Sequence, residues 1–132
     1  MKIIDSHAHI VQYIAGIGSG GELRSIGGGM ARYANGQVVR MIPEQFHTDG
    51  VSSEQLLEIM DENGVEKSVL LQGNFYGFQN YYTWEAVKKY PNRFIGAASY
   101  DPYSFDRDGI RRFLFENWDL RLKSSRSAPA PA

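Results

Sequence analysis

A chain of 132 residues suits one small domain. Its 42% hydrophobic and 13% aromatic content indicates a packed core rather than wholesale disorder. With 14 Lys+Arg against 15 Asp+Glu, the net charge is -1, which leaves no basic footprint for nucleic acid or an acidic membrane. The absence of cysteine excludes disulfide frameworks, thiolate zinc sites and cysteine nucleophiles. No apolar run reaches the roughly 20 residues of a membrane span. The opening MKIIDSHAHIV puts Asp5, His7 and His9 where a signal peptide needs an unbroken apolar stretch, so a soluble, cytoplasmic setting is expected.

In chain order, Lys2 to Ile10 reads as a largely buried strand. A glycine-dense stretch follows. It holds Gly16, Gly18, Gly20, Gly21, Gly27, Gly28 and Gly29, half of the chain's 14 glycines. No Gly-Lys-Ser/Thr follows it and no helix opens on it, so it reads as a flexible lid or insertion rather than a phosphate loop. Met30 to Ile42 reads as a hairpin turning at Asn35-Gly36, where both residues tolerate positive φ. Pro43 stops its second strand. Ser52 or Ser53 caps a first helix, with Glu54 and Gln55 in the opening turn. Leu56, Leu57 and Met60 form its apolar stripe, Ile59 lies at the edge, and Gly64 ends it.

Val65 to Gln72 reads as a second strand built on the run Val69-Leu70-Leu71, consistent with a parallel sheet covered on both faces. After the aromatic loop GNFYGFQNYY, a second helix is predicted from about Tyr81 to Tyr90, stopping before Pro91. Phe94 to Tyr100 is the third strand. Asp106 caps a third helix through about Asn117, with Ile110, Phe113 and Leu114 as its apolar stripe. The second and third strands start 29 residues apart, the length of a βαβ unit, and the whole order reads as α/β. No strand is expected after the third helix, and the stretch from 119 to 132, rich in small residues and proline at its end, is expected to be a disordered or unrelated tail.

The residues that point to chemistry are Asp5, His7 and His9. Alternate residues of a strand project from one face, so both imidazoles are expected on the same side, about 6–7 Å apart along it. Neutral imidazole is a good ligand for a divalent ion, and Asp5 on the same face could support the pair or anchor the strand. A His-x-His pair alone is a weak pattern, and the plainer reading is two surface histidines. Its place at the end of the first strand of an α/β chain strengthens it, because ligands in such folds bind outside the carboxyl ends of strands.

IIDSHAHI resembles the opening strand of the amidohydrolase superfamily, and more narrowly its amidohydrolase-related branch. The segment from MDENGVEKSVLLQGNF through YPNRFIGAASYDP is similar to that branch's next helix, strand, loop, helix and strand, so that the resemblance covers about residues 1–118. It implies a TIM-type barrel with metal at its C-terminal mouth. This chain would then be a partial (β/α)8 barrel of about three βα units, with the glycine-rich hairpin segment inserted after the first strand, since a full barrel takes about 250 residues. His7 and His9 would be metal ligands, with zinc expected first and manganese, iron or nickel as alternatives. The function implied is metal-dependent hydrolysis of a C–N or C–O bond in a small molecule, with decarboxylation as a variant. In the family the remaining ligands come from later strands, so the chain is expected to be truncated and, on its own, inactive. The alternative is a non-catalytic, weakly metal-binding fragment that self-associates through open sheet edges. A small binding module gripping a ligand with its aromatic loop is a third reading.

Gln72 and Asp101 end the second and third strands, where barrel enzymes place site residues, and Tyr76 lies in the aromatic loop that could wall a pocket for a planar substrate. These three are the candidate substrate-binding residues. Their plainer readings are a strand-end hydrogen bonder, a helix-start residue and a packing aromatic. His47, the remaining histidine, reads as a loop residue that reaches the pair only if the insertion folds over the mouth.

Overall fold

The computed structural model describes residues 1–101, 103–117 and 123–124. Among these residues eight strands and three α-helices follow one another: β1 (Ile3–Ala8), β2 (Ala15–Gly18), β3 (Gly21–Gly27), β4 (Met30–Tyr33), β5 (Val38–Arg40), α1 (Ser53–Glu62), β6 (Val65–Leu70), α2 (Asn80–Lys89), β7 (Phe94–Ala98), α3 (Arg107–Asn117) and β8 (Lys123–Ser124). They form two separate sheets. One runs β1-β6-β7-β8, with every neighbouring pair parallel. The other, β2-β3-β4-β5, is an antiparallel meander inserted between β1 and α1. The chain is therefore α/β with a second, antiparallel sheet, and the parallel sheet does not close into a barrel among the described residues.

The helices form where their end signals are local. Ser52 caps α1 in a reciprocal capping box: its hydroxyl accepts from the Gln55 amide and its own amide donates to the Gln55 side chain. Gly64, at φ 69°, turns the chain out after Asn63. Asp106 accepts from the Gly109 amide at the start of α3. Both α1 and α2 lay their apolar stripes on one face of the parallel sheet. Ala8, Ile10, Met60, Leu70, Ala86, Val87 and Phe94 form the core there. A second core, around Val11, Ile14, Leu23, Ala31, Tyr33 and Ile42, belongs to the antiparallel sheet.

Four expectations are corrected. The first strand is not buried: only Ala8 of β1 is, while Ile3 and Ile4 are 43% and 59% exposed. The cause is position, since β1 is an edge strand and only one face of its sheet carries helices. For the same reason β6 is covered on one face, where Ser68 and Leu70 are buried. The glycine-rich stretch is not a loop but β2 and β3, whose ladder bonds do not depend on side chains. Finally, a two-residue strand does follow α3, with Lys123 and Ser124 beside Ala97 and Ala98. The rest of the segment 119–132 lies outside the described residues, as do Pro102 and Trp118. Among the described residues no helix is long and apolar enough to cross a membrane.

The two helices on the core are tied by one charge pair. The Glu54 carboxylate, in the first turn of α1, accepts from the Lys89 ammonium at the end of α2 and from the Ser53 hydroxyl. Those hydrogen bonds, the lysine's first, hold Glu54 down at about 2 against an ordinary 4.5. A lowered carboxylate pKa contributes stability above the ordinary value and loses it as pH falls through the folded value. The contribution is therefore expected to fade between about pH 4.5 and about pH 2. Both side chains are about half exposed, so solvent screening keeps the contribution small. Urea unfolding of the wild type and of Glu54→Gln, near neutral pH and at the low end of that window, should show a gap that closes on acidification. A gap that stays constant would contradict the assignment.

Candidate functional site

The histidine pair is shaped by an irregularity in β1. Asp5 lies opposite Ser68 and Ala8 opposite Leu70, so three steps along β1 match two along β6. One extra residue is thus accommodated, as in a β-bulge. The Asp5 carboxylate stabilises this kink by accepting from the His7 amide at 3.0 Å, a contact within its own turn. The two rings do not stand side by side along the strand. They meet edge to face, with centroids 4.8 Å apart, planes at 81° and Nε2 atoms 3.0 Å apart. His9 is half-buried and His7 exposed.

His9 is oriented from behind. Its Nδ1 lies 2.9 Å from the Leu71 carbonyl, which can only accept, so Nδ1 carries the proton and Nε2 presents its lone pair toward His7. Carbonyl-anchored Nδ1–H is the arrangement that prepares a histidine as an Nε2 metal ligand. Two nitrogens on one tetrahedral zinc, at 2.0–2.1 Å each, are about 3.3 Å apart. The 3.0 Å observed here is an imidazole–imidazole hydrogen-bond distance, somewhat shorter than that edge, so the pair would have to open slightly to share a divalent ion. Among the described residues no group of three or more His, Asp or Glu is placed to hold a metal ion. His47 does not join the pair. It sits exposed at the end of the 3-10 turn Glu44–Phe46, at φ 55°.

The structure distributes the other candidates unevenly. Tyr76 packs its ring on His9, with centroids 5.5 Å apart, and burial pushes its phenol pKa up. Gln72 is committed to structure: its amide donates to Asn80 Oδ1 and the Ala97 carbonyl and accepts from the Gln79 amide. Asp101 is exposed and accepts from the Tyr103 amide at 2.9 Å. Asp101 lines a cleft of about 690 Å³ between β2 of the antiparallel sheet and the segments that follow β6 and β7. Neither histidine lines it, but residues 74–78 connect the two places: Tyr76 rests on His9, while Asn74, Gly77 and Phe78 wall the cleft.

Sequence reasoning missed the amide network behind this region. Asn80 Oδ1 accepts from Gln72 and from the Ser99 amide, while its Nδ2 donates to the Ser99 carbonyl. Gln79 accepts from the Gln12 amide at 2.8 Å. Together these side chains link the segments that leave β1, β6 and β7. The available signal was the run of uncharged amides at the start of α2, Gln79-Asn80, in an otherwise aromatic stretch. Glu22, which also lines the cleft, carried no signal because its segment read as a loop.

The fold and the strand-end site define a mixed α/β protein with consecutive parallel β-α units. A probable 2-pyrone-4,6-dicarboxylic acid hydrolase from Acinetobacter baumannii, solved with citric acid bound, is similar in structure, with a TM-score of 0.52 and 19% identity. The match covers 93% of this chain and 36% of that one, so this chain spans about a third of the hydrolase. At that identity the likeness is one of fold. No protein-family model matches the sequence, and no curated protein does.

Proposed function

We propose that this chain is part of a metal-dependent hydrolase of the amidohydrolase-related type, its parallel sheet being a portion of a TIM-type barrel and His7 and His9 its metal-holding imidazoles. The observation that carries the reading is the convergence of the two Nε2 atoms at 3.0 Å, with His9 fixed by the Leu71 carbonyl. Structural likeness to a hydrolase of that superfamily supports it. A divalent ion, zinc first among the candidates, would be held by His7 and His9 and would supply Lewis acidity there. The chain's own contribution is placement. The Asp5 kink turns His7 toward His9, the Leu71 carbonyl sets the His9 tautomer, and Tyr76 screens one side of the His9 ring. A small-molecule substrate would approach from the cleft beside residues 74–78, where Asp101 lies.

A second reading, a weakly metal-binding chain that self-associates without catalysis, is favoured by two observations. The described residues offer the pair no third ligand. The helix-free face of the parallel sheet also exposes Ile4 and Ile95.

Equilibrium dialysis against zinc with elemental analysis separates the two, using the wild type and a His7→Ala/His9→Ala variant. About one ion per chain, with affinity falling at least about tenfold in the variant, is expected. Any hydrolysis of small lactones, esters or amides by the chain should then depend on that ion. Weak binding that the variant leaves unchanged would overturn the hydrolase reading in favour of the second.

A further inference from the structure

The chemistry of the 690 Å³ cleft has no counterpart in the histidine pair. Its volume lies within the range of about 300–1,000 Å³ typical of small-molecule sites. Its walls combine three aromatic rings, Phe78, Tyr100 and Tyr103, with two carboxylates, Glu22 and Asp101. No Lys, Arg or His is among its described lining residues. Phe78 and Tyr103 are 61% and 94% exposed, so large aromatic surfaces stand open to solvent at its rim. Glu22 is paired directly with the Arg24 guanidinium, which balances most of its charge, so the negative charge of the cleft rests chiefly on Asp101. Aromatic faces and carboxylates attract the same kind of partner, a cation, while aromatic rings also favour a flat apolar body.

We propose that this cleft binds a small organic cation, an ammonium group carried on a planar or aromatic body, and discriminates against carboxylates. The charged head is held at Asp101, and the body lies against Phe78 and Tyr100. Such a ligand is opposite in charge to the dicarboxylic acid that names the similar hydrolase. Its role as a substrate rests on the hydrolase reading, but its binding does not, because no histidine lines the cleft.

The test uses the full chain freed of metal with a chelator, so that failure of the metal reading leaves it intact. Isothermal titration or NMR shift mapping compares 2-phenylethylammonium with 3-phenylpropanoate, a carboxylate of similar size. The ammonium should bind at least about tenfold more tightly, as expected where potential is complementary. Asp101→Asn should erase most of that preference, whereas Phe78→Ala should weaken both probes. Circular dichroism confirms that each variant is folded, and the asparagine retains the oxygen that accepts from Tyr103. Equal affinity for the two probes, preference for the carboxylate, binding of neither, or a preference that survives Asp101→Asn would each overturn the proposal.

Discussion

Replacing Phe94 with alanine is expected to destabilise the chain by about 3–5 kcal/mol, a large part of the 5–15 kcal/mol usual for a domain. Phe94 is 2% exposed and is among the largest fully buried side chains. It begins β7 opposite Ser68 and belongs to the core between the parallel sheet and α1 and α2. Tyr90 meets it edge to face at 6.0 Å, which adds a ring–ring contact to the apolar area removed from water. Truncation leaves a cavity between a strand and a helix end that are held by main-chain bonds and cannot simply close over it. Urea unfolding should show the midpoint fall by more than about 1 M, given a slope of about 1–3 kcal/mol per molar. Phe94→Leu should cost much less. A fall equivalent to under about 1 kcal/mol for the alanine variant would mean that this core is not what holds the parallel sheet.

A comparable loss, about 3 kcal/mol, is expected from the smallest substitution at Gly16. In β2 this residue lies against the turn Asn74–Tyr76, and a methyl group there would overlap the Asn74 carbonyl oxygen and the main chain of Phe75. Main-chain atoms cannot swing aside as a side-chain end can, so the antiparallel sheet must retreat from the turn. Gly16→Ala should therefore lower the melting temperature by about 10 °C. It should also disturb the Tyr76 ring, since Tyr76 ends that turn. Gly36→Ala is the contrast: nothing lies within 4 Å of the added carbon, and its penalty is confined to the positive φ of 93°. If Gly16→Ala melts like the wild type, β2 and the turn Asn74–Tyr76 are not in close main-chain contact.

That contact explains much of what was and was not legible in the sequence. Helix ends were readable because their signals act over three or four residues: Ser52 with Gln55, Asp106 with Gly109, glycine after Asn63. The apolar run Val69-Leu70-Leu71 identified β6, although β6 and β7 each end two residues earlier than periodicity suggests. The strand β2 was hidden because its glycines, Gly16 and Gly18, serve close approach to Phe75 and Tyr33, residues distant in the chain. At the site, the spacing of His7 and His9 was visible but their convergence was not. It depends on an offset against β6, which no local pattern encodes. Gln72 was placed correctly at a strand end, yet its partners, Ala97 and Asn80, come from the next strand and helix.

The amide network at those strand ends has a consequence for how the site responds to its surroundings. Gln12, Gln72, Gln79, Asn80 and Ser99 are joined entirely through uncharged groups. Amides neither gain nor lose protons across the range in which proteins are handled, and added salt does not screen bonds between them as it screens ion pairs. The framework behind His9 and Tyr76 is therefore electrically silent. A change of ionic strength thus acts at this site on charged contacts such as that of Asp5 with the His7 amide, and not on the amides that tie the strand ends together.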